Sequence, residues 1–242
     1  MRFAALASRN LKETVREPLS VVFEIGLPLI FMLMFWALGK NLGEDMFTAT
    51  MQLPAVVIFG FSFLMSISAI TLARDRQSAL FLRLLTTPLK SGDFIAAYSL
   101  PYVLIAIFQI AVCFAMAALL GLEIIGNIGI VFLIFILMAV CLIGLGMFIG
   151  SIFTENQANI AGSAVIVFVA VLGGCWMPLK FVGGVFESIG YALPFAHAID
   201  AARNVLNGST LGDVSIDLLW VIGYTVAFFI LGAVCLGWKT KE

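Results

Sequence analysis

Long apolar runs alternate along this chain with short clusters of charge. Asp45 to Arg74 encloses the uncharged run 46–73, Asp93 to Glu123 encloses 94–122, and Glu123 to Glu155 encloses 124–154. Glu155 to Lys180 encloses 156–179, and Asp217 to Lys239 encloses 218–238. Each run reaches the ~20 residues that a helix needs to cross a ~30 Å hydrocarbon core. A sixth stretch, 19–38, is interrupted only by Glu24 near one end. The runs lack the two-residue alternation of barrel strands, and helices are the other way to satisfy backbone groups in lipid. The pattern predicts an all-α integral membrane protein with six transmembrane helices. They fall near 19–38, 53–73, 94–120, 128–153, 157–179 and 217–238.

Three segments lie between or before these spans. Segment 2–17 predicts an amphipathic interfacial helix: at 100° per residue Phe3, Ala7, Leu11 and Val15 form one stripe, with Arg2, Arg9 and Arg16 opposite and Lys12 on the same polar side. Pro18 stops or kinks it before the first span. The plainer alternative is a basic anchor without an interfacial role. Segment 74–93 is a loop whose middle, 79–85, is apolar apart from Arg83. A short helix ending at Thr86-Thr87-Pro88 fits it, because the residue before proline avoids helical geometry. Apolar residues rimmed by Arg74, Arg76, Arg83 and Lys90 suit either a covering protein or the lipid surface. Segment 180–216 is too apolar for a free loop, too broken by Gly183-Gly184 and Pro194 to span, and is expected to dip into the membrane and return as re-entrant helices.

Composition sharpens this picture. Hydrophobic residues make up 62% of the 242 and charged residues 11%, which no single water-soluble core accommodates. A soluble enzyme, a disordered tail and a disulfide-stapled secreted module are excluded. With 13 Lys+Arg against 14 Asp+Glu, no bulk basicity points to nucleic acid. Placing the N-terminus in the cytoplasm puts Arg2, Arg9, Lys12, Arg16, Arg74, Arg76, Arg83, Lys90, Lys239 and Lys241 inside, and only Lys40, Lys180 and Arg203 outside. Six spans then return the C-terminus to the cytoplasm, the topology of a multi-pass protein of the cytoplasmic (inner) membrane. The first apolar stretch begins too late for a cleavable signal peptide, no linker divides the chain, and one membrane domain, 1–242, accounts for the length. Cys113, Cys141, Cys175 and Cys235 stand in apolar runs without metal-ligand spacing and are expected to be small buried hydrophobes; no metal site is expected.

These features resemble the membrane subunit of type-2 ABC exporters, the permease family that includes drug- and polysaccharide-export subunits. The stretch Asp75-Arg76-Gln77-Ser78-Ala79-Leu80-Phe81-Leu82-Arg83-Leu84-Leu85-Thr86-Thr87-Pro88 is similar to the family's coupling helix, E-R-E-x-G-T-L-E-R-L-L-x-T-P. Ala79 stands at its usual glycine and Leu82 at its usual acid. Gly173-Gly174-Cys175-Trp176-Met177-Pro178, then Pro194, then Arg203 to Gly208, resembles the family's exit from the fifth span and its outer re-entrant helices.

The resemblance implies a permease energised by a separate ABC ATP-binding subunit, two copies per transporter, with ATP and Mg bound on that partner. No cofactor is expected on this chain, whose single Gly-Lys pair, Gly39-Lys40, lacks the upstream glycine of a phosphate-cradling loop. Six spans further imply a second permease subunit, expected as a homodimer. Asp75, Arg76, Ser78, Leu80, Arg83, Leu84, Leu85, Thr87 and Pro88 become the expected contact with the ATPase, assisted by Arg9, Lys12 and Arg16 of the interfacial helix. Pro178, Pro194, His197 and Arg203 become an expected outer gate, against the plainer role of helix-end packing for the last two.

Polar residues inside the spans are few. Glu24, Gln109 and Asn159 are candidates to line a cavity. Glu24 is also placed to snorkel or to pair at an interface. So little fixed charge favours a hydrophobic or amphipathic cargo, drug-like or lipid-like. Gly146-x-x-x-Gly150 permits close helix packing, most simply within the subunit. No catalytic residue is expected. A lipid-processing enzyme would need clustered acids, histidines or a nucleophile at membrane depth, and the chain has one histidine. An ATP-independent channel or ion-coupled carrier is the competing function, although broken helices in both halves are absent.

Overall fold

The computed structural model describes residues 2–16, 18–42, 47–78 and 91–239. Their regular elements are helices: α1 (Arg2–Val15), α2 (Pro18–Leu42), α3 (Ala49–Arg76), α4 (Ser91–Leu119), α5 (Ile128–Ile152), α6 (Glu155–Leu172), α7 (Leu179–Val182), α8 (Gly184–Ala192), α9 (Pro194–Leu206) and α10 (Ser215–Lys239). The helices α2, α3, α4, α5, α6 and α10 are long and apolar enough to cross a membrane.

The post of the bundle is α3, which packs against α2, α4, α5, α6 and α9. Its small residues explain why it can be surrounded. Ala55, Ser62, Ser66, Ser68, Ala69 and Ala73 are buried, and the hydroxyls of Ser62 and Ser68 donate to Phe59 and Met65 carbonyls of their own helix. Helix α3 approaches α5 closely. A Cβ at Gly150 would stand 2.6 Å from the Ala69 carbonyl oxygen, and one at Gly146 would overlap the Met65 carbonyl and Ser68 hydroxyl. The two glycines therefore join α5 to α3 within this chain. On the other side of α5 lies α10, whose outward face exposes Ile216, Leu219, Ile222, Val226, Ile230 and Val234. In a membrane protein such a face is solvated by lipid tails.

Two elements differ from expectation. The fifth long helix, expected over 157–179, ends at Leu172: Gly173 caps it and Gly174 turns the chain at φ +70°, so Trp176 and Met177 fall in a turn before α7. Gly183 and Gly184, at φ +66° and +60°, separate α7 from α8, and this is why the apolar segment after residue 179 forms short helices. In α1 the buried stripe is Leu6, Ala7, Asn10 and Thr14, turned from the expected one; Leu11 is half-buried, and the Phe3 and Val15 side chains lie outside the described residues. This stripe packs against α4, and the Thr14 hydroxyl is satisfied by the Asn10 carbonyl at 2.9 Å.

Candidate functional site

At the α1 end of the bundle, polar and charged contacts tie α3 to four other helices. Asp75, in the last turn of α3, is 7% exposed. Its Oδ2 accepts from the Tyr98 hydroxyl of α4 at 2.6 Å and from Arg9 Nη1 of α1 at 3.2 Å. Arg9 also reaches Glu13 at 2.8 Å. Burial works against the Arg9 charge, but the carboxylates of Asp75 and Glu13 together outweigh it and hold the guanidinium above its usual range. Next in sequence, Arg76 Nη1 donates to the Gly150 carbonyl at 2.6 Å. That carbonyl belongs to the last turn of α5, where helical donors run out, so Arg76 caps a neighbouring helix. Arg74 pairs with Glu155 in the first turn of α6 at 3.0 Å, a placement each helix dipole favours. The Ser78 hydroxyl turns back to the Asp75 carbonyl at 2.6 Å.

Asp75, Arg76 and Ser78 thus form the root from which the 79–90 segment departs. The other expected coupling residues, Leu80, Arg83, Leu84, Leu85, Thr87 and Pro88, lie outside the described residues, as does the expected turn at Thr86-Thr87-Pro88. Lys12 and Arg16 are exposed.

At the opposite end, α9 is held from all sides. Pro194 starts it, with its missing N–H at a position that has no helical acceptor. Arg203 Nε donates to the Met51 carbonyl at 3.0 Å and Nη2 to the Gly174 carbonyl at 3.3 Å, joining the start of α3 to the exit of α6. Burial pulls the Arg203 guanidinium below its usual range, opposed by Asp200 at 3.5 Å. The Tyr191 hydroxyl donates to Asp200, and burial followed by that bond pushes its ionisation upward. His197 places Nδ1 2.5 Å from Asp217 of α10 and Nε2 2.9 Å from the Tyr191 carbonyl, and its ring stacks on Trp220 with centroids 5.4 Å apart. Pro178 precedes α7 and lies outside this knot. Residues 125 and 126 close the end by donating to the Leu206 carbonyl.

The polar residues of the spans separate into three environments. Asn159 is exposed on α6, beside exposed Asn156, Ile160 and Ser163. Gln109 is fully buried, with Nε2 donating to the Val57 carbonyl at 3.4 Å and Oε1 without a partner among the described residues. Glu24 is 1% exposed, and neither carboxyl oxygen has a hydrogen-bond partner among the described residues. Gln157 serves a local purpose: its Oε1 caps the Thr154 N–H at 3.1 Å at the start of α6. No cluster of His, Cys, Asp or Glu able to hold a metal occurs among the described residues.

The sequence alone did not single out Tyr98, Gly150, Glu155, Tyr191, Asp200 or Asp217 as partners. The available signal was weak: Tyr98 and Tyr102 are polar-tipped aromatics early in an otherwise apolar span, and Asp217 and Glu155 stand at span starts.

Comparison with known proteins turns this helical architecture into a family assignment. The model of the ABC-2 type transporter family matches residues 1–207. The chain belongs to the ABC-2 type transporter family. Among curated relatives it is similar to the "Probable multidrug ABC transporter permease YbhR" of Escherichia coli strain K12, with 21% identity over 184 residues. The protein of the same description from Escherichia coli O157:H7 matches equally. These alignments cover 75% of this chain and 48% of the relative, so the chain spans about half the length of the curated relatives it matches. As a type-2 ABC permease it is a multi-pass membrane protein. The match spans α1 through the end of α9; it includes the knot around Asp75, and of the second knot all but Asp217 and Trp220 of α10.

Proposed function

We propose that this permease is the membrane subunit of an ATP-driven exporter in the cytoplasmic membrane, with both termini cytoplasmic. It moves a hydrophobic or amphipathic cargo, drug-like or lipid-like, by alternating access. The observation that carries this reading is the knot at Asp75–Arg76. Two separate ATP-binding subunits, which hold the ATP and Mg, press on the 74–93 loop. Force applied there reaches α1 through Arg9, α4 through Tyr98, α5 through Gly150 and α6 through Arg74. One lever therefore moves four helices without any long-range elasticity. Leu80, Arg83, Leu84, Leu85, Thr87 and Pro88 form the docking face, and Lys12 and Arg16 add exposed positive charge near its root.

Support for a second permease copy comes from α6. Its exposed face places Asn156, Asn159 and Ser163 on a span, where lipid leaves amides unsatisfied. In this proposal that face turns toward a second copy across a polar cavity, with Asn159 lining the cargo path. The multidrug description of the relative agrees with an apolar cargo. Pro178, Pro194, His197 and Arg203 belong to the outer gate, with the Arg203 and His197 contacts holding it shut between α3, α6 and α10.

Affinity purification from native membranes in mild detergent, with mass spectrometry of stoichiometric partners, tests the proposal. An ATP-binding subunit at one per permease is the expected result, and cargo then stimulates its ATPase. A folded dimer that emerges alone in several detergents overturns the coupling assignment in favour of an ATP-independent channel or carrier.

A further inference from the structure

The α2–α3–α4 seam contains a carboxyl group that nothing in the coupling scheme uses. Glu24 sits about a turn and a half into α2, on the helix that contacts both α3 and α4. It is 1% exposed, and neither oxygen has a partner among the described residues. An ionised carboxylate in that condition is very costly, and such a group carries its proton instead. Its described neighbours on α3 and α4 offer no compensating charge. Along α3 no charged residue occurs between 49 and 73, and along α4 none occurs between 94 and 119. The titratable groups of α4 are Asp93, exposed in its first turn; Tyr98, committed to Asp75; Tyr102, which donates to Thr71 at 2.9 Å; and buried Cys113. On α1, Arg9 is held by Asp75 and Glu13, and Lys12 is exposed.

The seam is also built to part at this level. Pro28 lies one turn beyond Glu24 on the same face of α2, and its missing N–H leaves the Glu24 main-chain carbonyl without a helical donor. Pro28 meets α3 at Gly60: a Cβ there would stand 2.7 Å from Pro28 Cγ and would overlap the Gln109 amide of α4. Gln109 brings a second orphan, its Oε1. A helix weakened at a proline, a missing side chain opposite it and an unpaired amide oxygen occur together one helical turn from Glu24.

We propose that Glu24 is a proton-binding site of the α2–α3–α4 seam, holding one proton while the seam is packed and releasing it to water when α2 moves away. The step is a simple dissociation: the carboxyl O–H breaks, the electron pair stays on the carboxylate, and the proton passes to entering water. Because the packed arrangement binds the proton more tightly, acid favours the packed seam and alkaline pH favours the hydrated one. This site does not depend on the exporter assignment.

Infrared spectroscopy of the full chain in lipid bilayers tests it. At neutral pH a carbonyl stretch of a neutral carboxylic acid is expected, lost in Glu24→Gln and retained in Glu13→Gln. Raising the pH from about 6 to about 9 should diminish the band several-fold, a range in which buried glutamates are known to titrate. In parallel, dicyclohexylcarbodiimide, which adds to neutral carboxyls in membranes, should label Glu24 and lose the label over the same interval. Absence of the band at neutral pH in the folded wild-type chain overturns the proposal. Loss of the band on adding sodium at constant pH also overturns it, by assigning a metal-cation site. Since neither measurement involves ATP, a failed search for an ATPase partner would leave these outcomes unaffected.

Discussion

Single side chains at the α1 end hold α3 to its neighbours. Tyr98 donates to a carboxylate that is itself nearly buried, so Tyr98→Phe removes one charge-assisted hydrogen bond while preserving the ring. The expected loss is about 1–2 kcal/mol, read as a lower midpoint of thermal unfolding in nanodiscs. Asp75→Ala should cost more than Tyr98→Phe, since it strands the Tyr98 hydroxyl and also removes the buried partner of Arg9, leaving it with Glu13. Equal midpoints for the two variants would show that Asp75 does not organise the knot. Arg203 makes the corresponding test at the other end. Its planar fork serves two carbonyls on different segments, Met51 and Gly174, and a lysine ammonium on a flexible stem cannot hold both. Arg203→Lys should therefore lower the unfolding midpoint by an amount corresponding to about 1–3 kcal/mol. None of these partners was legible from spacing: Arg9 and Asp75 are 66 residues apart, and Arg203 and Met51 are 152 apart.

Helices were far more legible than their contacts. Five of the six long elements, all but α6, extend through their expected spans to within a few residues, because a run of apolar residues free of charge has one stable answer in lipid. The early end of α6 shows the limit: Gly173 and Gly174 were visible, but whether they kink or stop a helix depends on Phe195 and Leu179 packing against the turn. At this scale Gly150→Ala is the informative change. The added methyl would press on the Ala69 backbone at 2.6 Å and force α3 and α5 apart, with an expected cost of about 1–3 kcal/mol. Gly223→Ala, on the outward face of α10 with nothing within 4 Å, should be neutral or stabilising by up to about 1 kcal/mol. A destabilised Gly223→Ala would mean that α10 is covered by protein instead of lipid.

For the whole molecule, the proposed second copy sets the face that α6 presents. With Cys235 replaced by serine, Ile160→Cys should form a disulfide-linked dimer under mild oxidation in membranes, whereas Val226→Cys on α10 should not. The reverse pattern would move the subunit interface to α10. Combined charge reversal at Arg76 and Arg83 should depress cargo-stimulated ATPase activity without preventing membrane insertion; unchanged coupling would remove the 74–93 loop from the transmission path. Hydrophobic length, helix count and family membership followed from the sequence itself, since transfer into lipid sums over residues along the chain regardless of what stands beside it. Which oxygen of Asp75 meets Arg9, why Arg76 caps a different helix and why Glu24 is buried without a partner among the described residues were decided only by the tertiary structure. Those outcomes depend on the rotation and height of each helix against its neighbours, and these are set jointly by every glycine, serine and bulky side chain in the seams between them.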